Sequence, residues 1–173
     1  MKSLIAYYSR EGNNYSGGSI VNLSVGNTEV AAKMIRKLTG ADAFRIDTVE
    51  KYPTDYEETT KLAKEELRRG ARPELLARVE GMEAYGAIFL GYPNWWGTMP
   101  MAVFSFLEGY DFSGKIILPF CTNEGSGMGR SEGDIKKLCP EAEVLKGLPI
   151  IGGSVKRADK DIVAWLGKSG VIK

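Results

Sequence analysis

Short apolar runs alternate with helical patterns along the whole chain, and nothing else in the sequence restricts its fold as strongly. Residues 3–8 read as a first strand, and residues 28–38 carry Val30, Ala31, Met34, Ile35 and Leu38 at helical spacing. Residues 43–46 read as a second strand. Residues 55–69 read as a charged helix with a thin apolar stripe at Tyr56, Ala63 and Leu67. The third strand covers residues 87–91 and the third helix residues 101–107, opened by Pro100. Residues 116–121 form a strongly apolar fourth strand. Ser131-Glu132-Gly133-Asp134 has the form of a capping box before Ile135 and Leu138. Residues 148–151 and 159–166 supply the last strand and the closing helix. Alternation of this kind predicts parallel βαβ units, and so an α/β fold with a doubly wound five-stranded parallel sheet.

No linker or repeat divides the chain, so a single domain is expected over residues 1–173, with a full core at that length. Two stretches depart from short connections. Residues 10–26 are rich in Gly, Asn and Ser and read as an extended first loop; loops of that length are commonly functional. Residues 72–82 are expected to hold one helical turn around Leu75 and Leu76.

Histidine is absent, which removes Ser-His-Asp and Cys-His nucleophile systems and any histidine metal site. Redox or transfer chemistry must then lean on a cofactor. Lys and Arg total 23 against 22 acids, with no dense basic stripe, so no nucleic-acid partner is expected. Cys121 and Cys139 lack CxxC spacing and read as reduced thiols. The apolar start is too short for a signal peptide or membrane span, so no membrane partner and a cytoplasmic location are expected.

In a doubly wound sheet, the loops after the first, third and fourth strands share the carboxyl edge where ligands bind. After the first, Ser24-Val25-Gly26-Asn27-Thr28 opens a helix whose free N–H groups suit a phosphate, and Ser9 approaches from the strand end. Capping by Asn27 or Thr28 is the plainer role for the same residues. After the third, Tyr92-Pro93-Asn94-Trp95-Trp96-Gly97 sets two tryptophans in a turn bounded by Pro and Gly. That placement suits a flat aromatic ligand better than a core. After the fourth, Thr122-Asn123-Glu124-Gly125-Ser126-Gly127-Met128-Gly129 can bring backbone N–H groups close to a ligand. Cys121 beside it reads as a small buried residue.

The opening Tyr7-Tyr8-Ser9-Arg10, the Gly26-Asn27-Thr28 helix start, Gly91-Tyr92-Pro93-Asn94-Trp95-Trp96 and the 122–127 loop together resemble the flavodoxin-like family. The resemblance spans nearly the whole chain in order. It implies a three-layer sandwich with strand order 2-1-3-4-5 and a noncovalent FMN. By the same resemblance, Ser9, Asn27 and Thr28 hold the phosphate with Arg10 nearby. Pro93, Asn94, Trp95 and Trp96 contact the isoalloxazine, with Gly97 a flexible peptide beside it. Thr122, Glu124, Gly125, Ser126 and Gly127 border the pyrimidine edge. Two features depart from the family pattern. A partial phosphate loop, Ser9-Arg10-Glu11-Gly12-Asn13, is separated by an insertion from the second copy at Gly26-Asn27-Thr28, which the helical pattern favours. The charge is also near neutral, where electron-carrying flavodoxins are acidic.

The resemblance implies a redox role. An electron carrier between redox partner proteins stands first, ahead of an NAD(P)H-dependent reductase of quinones or similar small acceptors. A cofactor-free interaction module stands last, because Tyr8-Ser9-Arg10 occupies the position where such a receiver needs acids. A monomer and a homodimer fit equally.

Overall fold

Ala87-Ile88-Phe89-Leu90 is apolar at every position, as a strand covered on both faces must be. In a computed structural model, which describes residues 1–172, it begins the central strand of the sheet. The chain runs β1 (Ser3–Tyr7), β2 (Gly12–Ser16), β3 (Ser19–Leu23), α1 (Asn27–Thr39), β4 (Asp42–Arg45) and α2 (Tyr56–Arg68). It continues through β5 (Ala87–Pro93), α3 (Met101–Glu108), β6 (Ile116–Asn123) and α4 (Ser131–Leu138). β7 (Glu143–Val144), β8 (Leu148–Ile151) and α5 (Asp159–Ser169) complete it. The main sheet is parallel in the order β4-β1-β5-β6, with β7 and β8 both on the far edge of β6. With those two as one interrupted strand, this is the expected 2-1-3-4-5 order of the doubly wound sandwich.

The interruption follows from Pro119. Ile116 donates its N–H to Gly86 on the β5 side, while Ile117 accepts from Leu145 on the outer side. Alternation therefore turns position 119 outward, where proline has no N–H to give. The edge strand pairs with Ile116 and Ile117, lets go, and pairs again from Phe120.

Side chains alternate across the sheet into two cores. Ile5, Phe89, Leu118 and Phe120 meet Ile35 of α1 and Ile162, Trp165 and Leu166 of α5. Leu4, Ile88, Leu90, Tyr92 and Ile117 meet Ala102, Val103 and Phe106 of α3 and Ile135 of α4. Helix α2 packs beside α3. Gly91 carries no side chain because Phe120 crosses there, with a ring carbon 2.2 Å from where a Cβ would stand.

Three expectations change. Residues 10–26 are not an open loop: β2 and β3 pair antiparallel as a separate two-stranded sheet, turned by Gly17 (φ 67°) and Gly18 (φ 90°). Leu75 forms a bridge with Thr48 in place of a helical turn, and the short 3-10 turn falls at Met82–Ala84. Ser131 does not cap α4. The N-cap is Arg130, and the Ser131 hydroxyl is buried, accepting from the Tyr92 hydroxyl and donating to the Met128 carbonyl. Asp134, the other end of the expected box, accepts from the Thr98 hydroxyl.

Two glycine substitutions should move stability in opposite directions in urea melts. Gly91→Ala should cost about 1–3 kcal/mol through overpacking against Phe120. Gly133→Ala, inside α4 with no atom within 4 Å of its added Cβ, should gain about 0.5–1 kcal/mol.

Candidate functional site

After β1 the chain turns over the carboxyl edge of the sheet, makes the hairpin, and comes back to where it left. A Cβ on Gly26 would stand 2.2 Å from Ser9 Oγ and 2.6 Å from the Arg10 carbonyl oxygen, so only glycine lets the two ends touch. As the N-cap of α1, Gly26 has no side chain to give, and Ser9 caps the helix instead: its Oγ accepts the Glu29 N–H at 3.1 Å. The first-turn N–H groups of Asn27 and Thr28 have no partner within the helix, and both residues line the crevice. The Thr28 and Thr122 hydroxyls meet at 2.7 Å, tying α1 to the end of β6. The second phosphate-loop copy therefore opens α1. In the first copy, Asn13 is used elsewhere: its Oδ1 accepts the Tyr56 N–H at the start of α2.

The hairpin roofs this edge. Asn27 Nδ2 donates to Ser16 Oγ at 3.0 Å, and the Gly17 N–H donates to Glu124 Oε2 at 3.3 Å. The Tyr15 and Tyr56 rings stack with centroids 6.4 Å apart. Arg10 braces the base: Nε donates to the Asn13 carbonyl, and Nη2 donates to the carbonyls of Pro53 and Thr54.

The tryptophan loop closes as a tight turn. Trp95 N–H donates to the Thr98 carbonyl at 2.8 Å, and Thr98 N–H returns to Trp95 at 3.3 Å. Trp96 (φ 57°) and Gly97 (φ 87°) both take left-handed backbone, the signature of a type I′ turn. Tryptophan is a costly residue there, by about 1–3 kcal/mol, and its surroundings hold it in place. Trp96 Nε1 donates to the Thr60 carbonyl at 2.9 Å, and Lys64 Nζ lies 4.9 Å from its ring centroid. Asn94 accepts the Gly97 N–H and donates to the Gly127 carbonyl, both at 2.9 Å, joining the second loop to the third.

Trp95 is half-buried and meets Tyr8 and Tyr52 edge to face, each at 5.2 Å. The Tyr52 hydroxyl donates to Glu66 Oε2 at 2.8 Å. Glu66 is 7% exposed, and its burial holds the carboxyl above its ordinary range. Burial likewise pushes the Tyr8 and Tyr52 phenols far up, so both stay protonated donors at neutral pH. Cys121 and Cys139 are buried free thiols, and burial raises Cys139 to about 11.

In the third loop, the Asn123 side chain makes the turn. Its Oδ1 accepts the N–H groups of Gly125 and Gly127, while Nδ2 donates to the carbonyls of Cys121 and Ile150. Of the three glycines expected to present N–H groups to a ligand, Gly125 and Gly127 give theirs to Asn123. Glu124 reaches the hairpin tip and sits beside the Asn27 amide, with Gly152 allowing the approach.

Two adjoining cavities result, of about 230 Å³ and 280 Å³, sharing Arg10, Asn14, Tyr56, Asn94 and Trp95 as walls. The smaller adds Asn27, Thr28, Pro93, Thr122, Glu124 and Ser126. The larger adds Trp96 and the Thr59–Ala63 face of α2. Of the residues expected at the site, Ser9 stands behind the helix start, while Gly97, Gly125 and Gly127 shape turns without lining either cavity. Asn14, Tyr15, Tyr56, Asn123 and Gly152 line the smaller cavity without having been expected there. Asn123 lay in the glycine-rich loop and Asn14 and Tyr15 in the extended first loop, whereas Tyr56 entered only in an apolar stripe and Gly152 carried no signal.

A parallel 2-1-3-4-5 sheet whose loops after the first, third and fourth main strands meet at one edge defines a doubly wound α/β protein. The flavodoxin family model, described as Flavodoxin, matches residues 19–169, and the chain belongs to that family. Among solved structures, a candidate flavoprotein of Bacteroides eggerthii DSM 20697 is 28% identical with a TM-score of 0.79, covering 98% of each chain. A second, from Bacteroides uniformis ATCC 8492, is 25% identical at TM-score 0.73, covering 94% of this chain and 97% of that one. A Lactobacillus acidophilus NCFM flavoprotein, solved with FMN, shares the fold at 18% identity and TM-score 0.65, covering 90% and 97%. No curated protein matches the sequence. Among the described residues, no helix is long and apolar enough to cross a membrane.

The buried carboxyl behind Trp95 gives a pH prediction. Because the folded-state pKa of Glu66 is raised, the folded protein prefers it protonated. The penalty for its charge is absent below the unfolded value and grows as pH rises through the folded one. Glu66→Gln should therefore melt above the parent at pH 7, and the gap should close as pH falls below about 4.

Proposed function

We propose that this chain binds one FMN noncovalently in the crevice and serves as a redox protein through it. What carries the reading is the meeting of a helix start, a cation and an indole on one cavity. The donor set suits the cofactor's anionic end: Asn27 and Thr28 at the open helix start and the Arg10 side chain all line the smaller cavity. Glu124 opposes an anion there, and those donors offset it. Trp95, braced by Tyr8 and Tyr52, offers a flat face to the ring system. Bound FMN supplies reversible electron transfer that no side chain here provides. The protein's part is to orient the ring against Trp95 and to shield it from water beneath the hairpin.

Between the two uses of such a cofactor, one observation favours the NAD(P)H-dependent reductase over the carrier. The larger cavity opens beside Trp95, lined by Trp96 and α2, and a carrier that meets only protein partners has no need of an inward compartment. Adding NADPH and then NADH to the FMN-loaded protein without oxygen separates the two. Bleaching of the flavin absorbance at catalytic rates supports the reductase. No bleaching, with reduction only by chemical reductant, supports a carrier, and failure to retain FMN overturns both.

Trp95→Ala should weaken FMN retention more than tenfold, a loss of about 1.4 kcal/mol or more. Trp96→Ala should weaken it less, since that ring is held against α2. Equilibrium dialysis checks both.

A further inference from the structure

We infer that Glu66 is a positioning residue for the cofactor site: through the Tyr52 hydroxyl it fixes the face that Trp95 presents to the crevice, and its ionisation sets how firmly. Only the ligand that Trp95 meets rests on the FMN reading; the hold on its ring does not.

The other two indoles are tied at their nitrogens, Trp96 to the Thr60 carbonyl and Trp165 to that of Lys146. That of Trp95 has no protein acceptor among the described residues, so its ring is held by the edges of Tyr8 and Tyr52. These two braces differ. The Tyr8 hydroxyl also has no protein partner among the described residues, whereas the Tyr52 hydroxyl is fixed by Glu66 Oε2 at 2.8 Å. That bond joins the segment ahead of α2 to the last turn of the helix. It is the one polar anchor behind the Trp95 ring among the described residues.

Glu66 has its own access to protons. It lines a further cavity of about 270 Å³ with Glu50, Lys51, Tyr52, Arg69 and Arg72, and that cavity shares no wall with the two at the crevice. Those residues also supply the charges that face the carboxyl. Glu50 and Lys51 come from the segment ahead of α2, Arg69 from its end and Arg72 from beyond it. Lys51 is paired with Asp47, and Arg72 with Glu108 of α3. Burial, with Glu50 adding to it, outweighs the Tyr52 bond and the Arg69 charge and holds the carboxyl above its ordinary range. A carboxylate accepts from the Tyr52 hydroxyl about twice as strongly as a neutral carboxyl does. Deprotonation therefore tightens the brace on Trp95, and protonation slackens it.

Proton–nitrogen NMR of the FMN-free protein tests this directly, because the three tryptophans give three indole N–H resonances. Those of Trp96 and Trp165 are internal controls, held by Thr60 and Lys146. The Trp95 resonance should move through one titration step above the ordinary glutamate value of about 4.3. The chain has no histidine to supply such a step. Glu66→Gln and Tyr52→Phe should each abolish it and leave the control resonances in place. FMN affinity is the second readout, taken for parent and E66Q at the same pH so that the titration of the FMN phosphate cancels. The two should bind equally below the step, and above it the parent should bind about threefold tighter or more. E66Q should melt above the parent at pH 7, so weaker binding there reports position and not unfolding. Three results would overturn the inference: a Trp95 resonance that does not titrate, a step that survives in both variants, or equal FMN affinity above the step. If no form retains FMN, the function proposed above fails by itself, and the resonance titration still decides whether Glu66 sets Trp95.

Discussion

Every feature of the crevice depends on the packing of Gly26 onto Ser9 and Arg10. It is a steric constraint before it is a chemical one. The insertion of a whole β-hairpin between the first strand and its helix would ordinarily separate the strand end from the helix start. A glycine with no Cβ lets the chain close the excursion at its base, so Ser9 caps a helix that begins well downstream of it. The helix start, the Thr28–Thr122 link and the position of Arg10 all follow from that closure.

With the base closed, the hairpin becomes a roof. Two strands alone are marginal in water, so its place is set by what it touches: Asn27 and Glu124 at the tip, and Tyr56 at the side. The three loops below are fastened to one another by side-chain amides. Asn94 ties the tryptophan turn to Gly127, and Asn123 gathers the glycine loop onto itself. A site built this way is organised before any ligand arrives, which limits the ordering cost of binding. Trp96 shows the same economy: an unfavourable backbone is held by its bond to Thr60, and the ring becomes a wall between the turn and α2.

The two tryptophans divide the labour that the sequence assigned to them jointly. Trp95 is the braced face, backed by Tyr8, Tyr52 and the Tyr52–Glu66 hydrogen bond. Trp96 turns outward, bonded to α2, and walls only the larger of the two cavities, while Trp95 borders both.

The family resemblance implied the sheet order; the sequence by itself determined the alternation of strands and helices and the edge at which the loops converge. These depend on periodicity and on local steric rules acting over a few residues, at Val30–Ala31–Met34 as much as at Tyr92-Pro93. It also picked out Thr28, Trp95 and Thr122 as neighbours, through the family resemblance and the shared strand ends. Only the tertiary structure decided what residues 10–26 become. Gly, Asn and Ser read locally as loop, and the pairing of Asn14 with Val21 depends on contacts far along the chain. The same holds for Asn123, whose side chain takes the N–H groups that the loop had promised to a ligand. It holds too for Tyr56 and Arg10, whose places at the mouth of two cavities are set by packing between elements that share no local pattern.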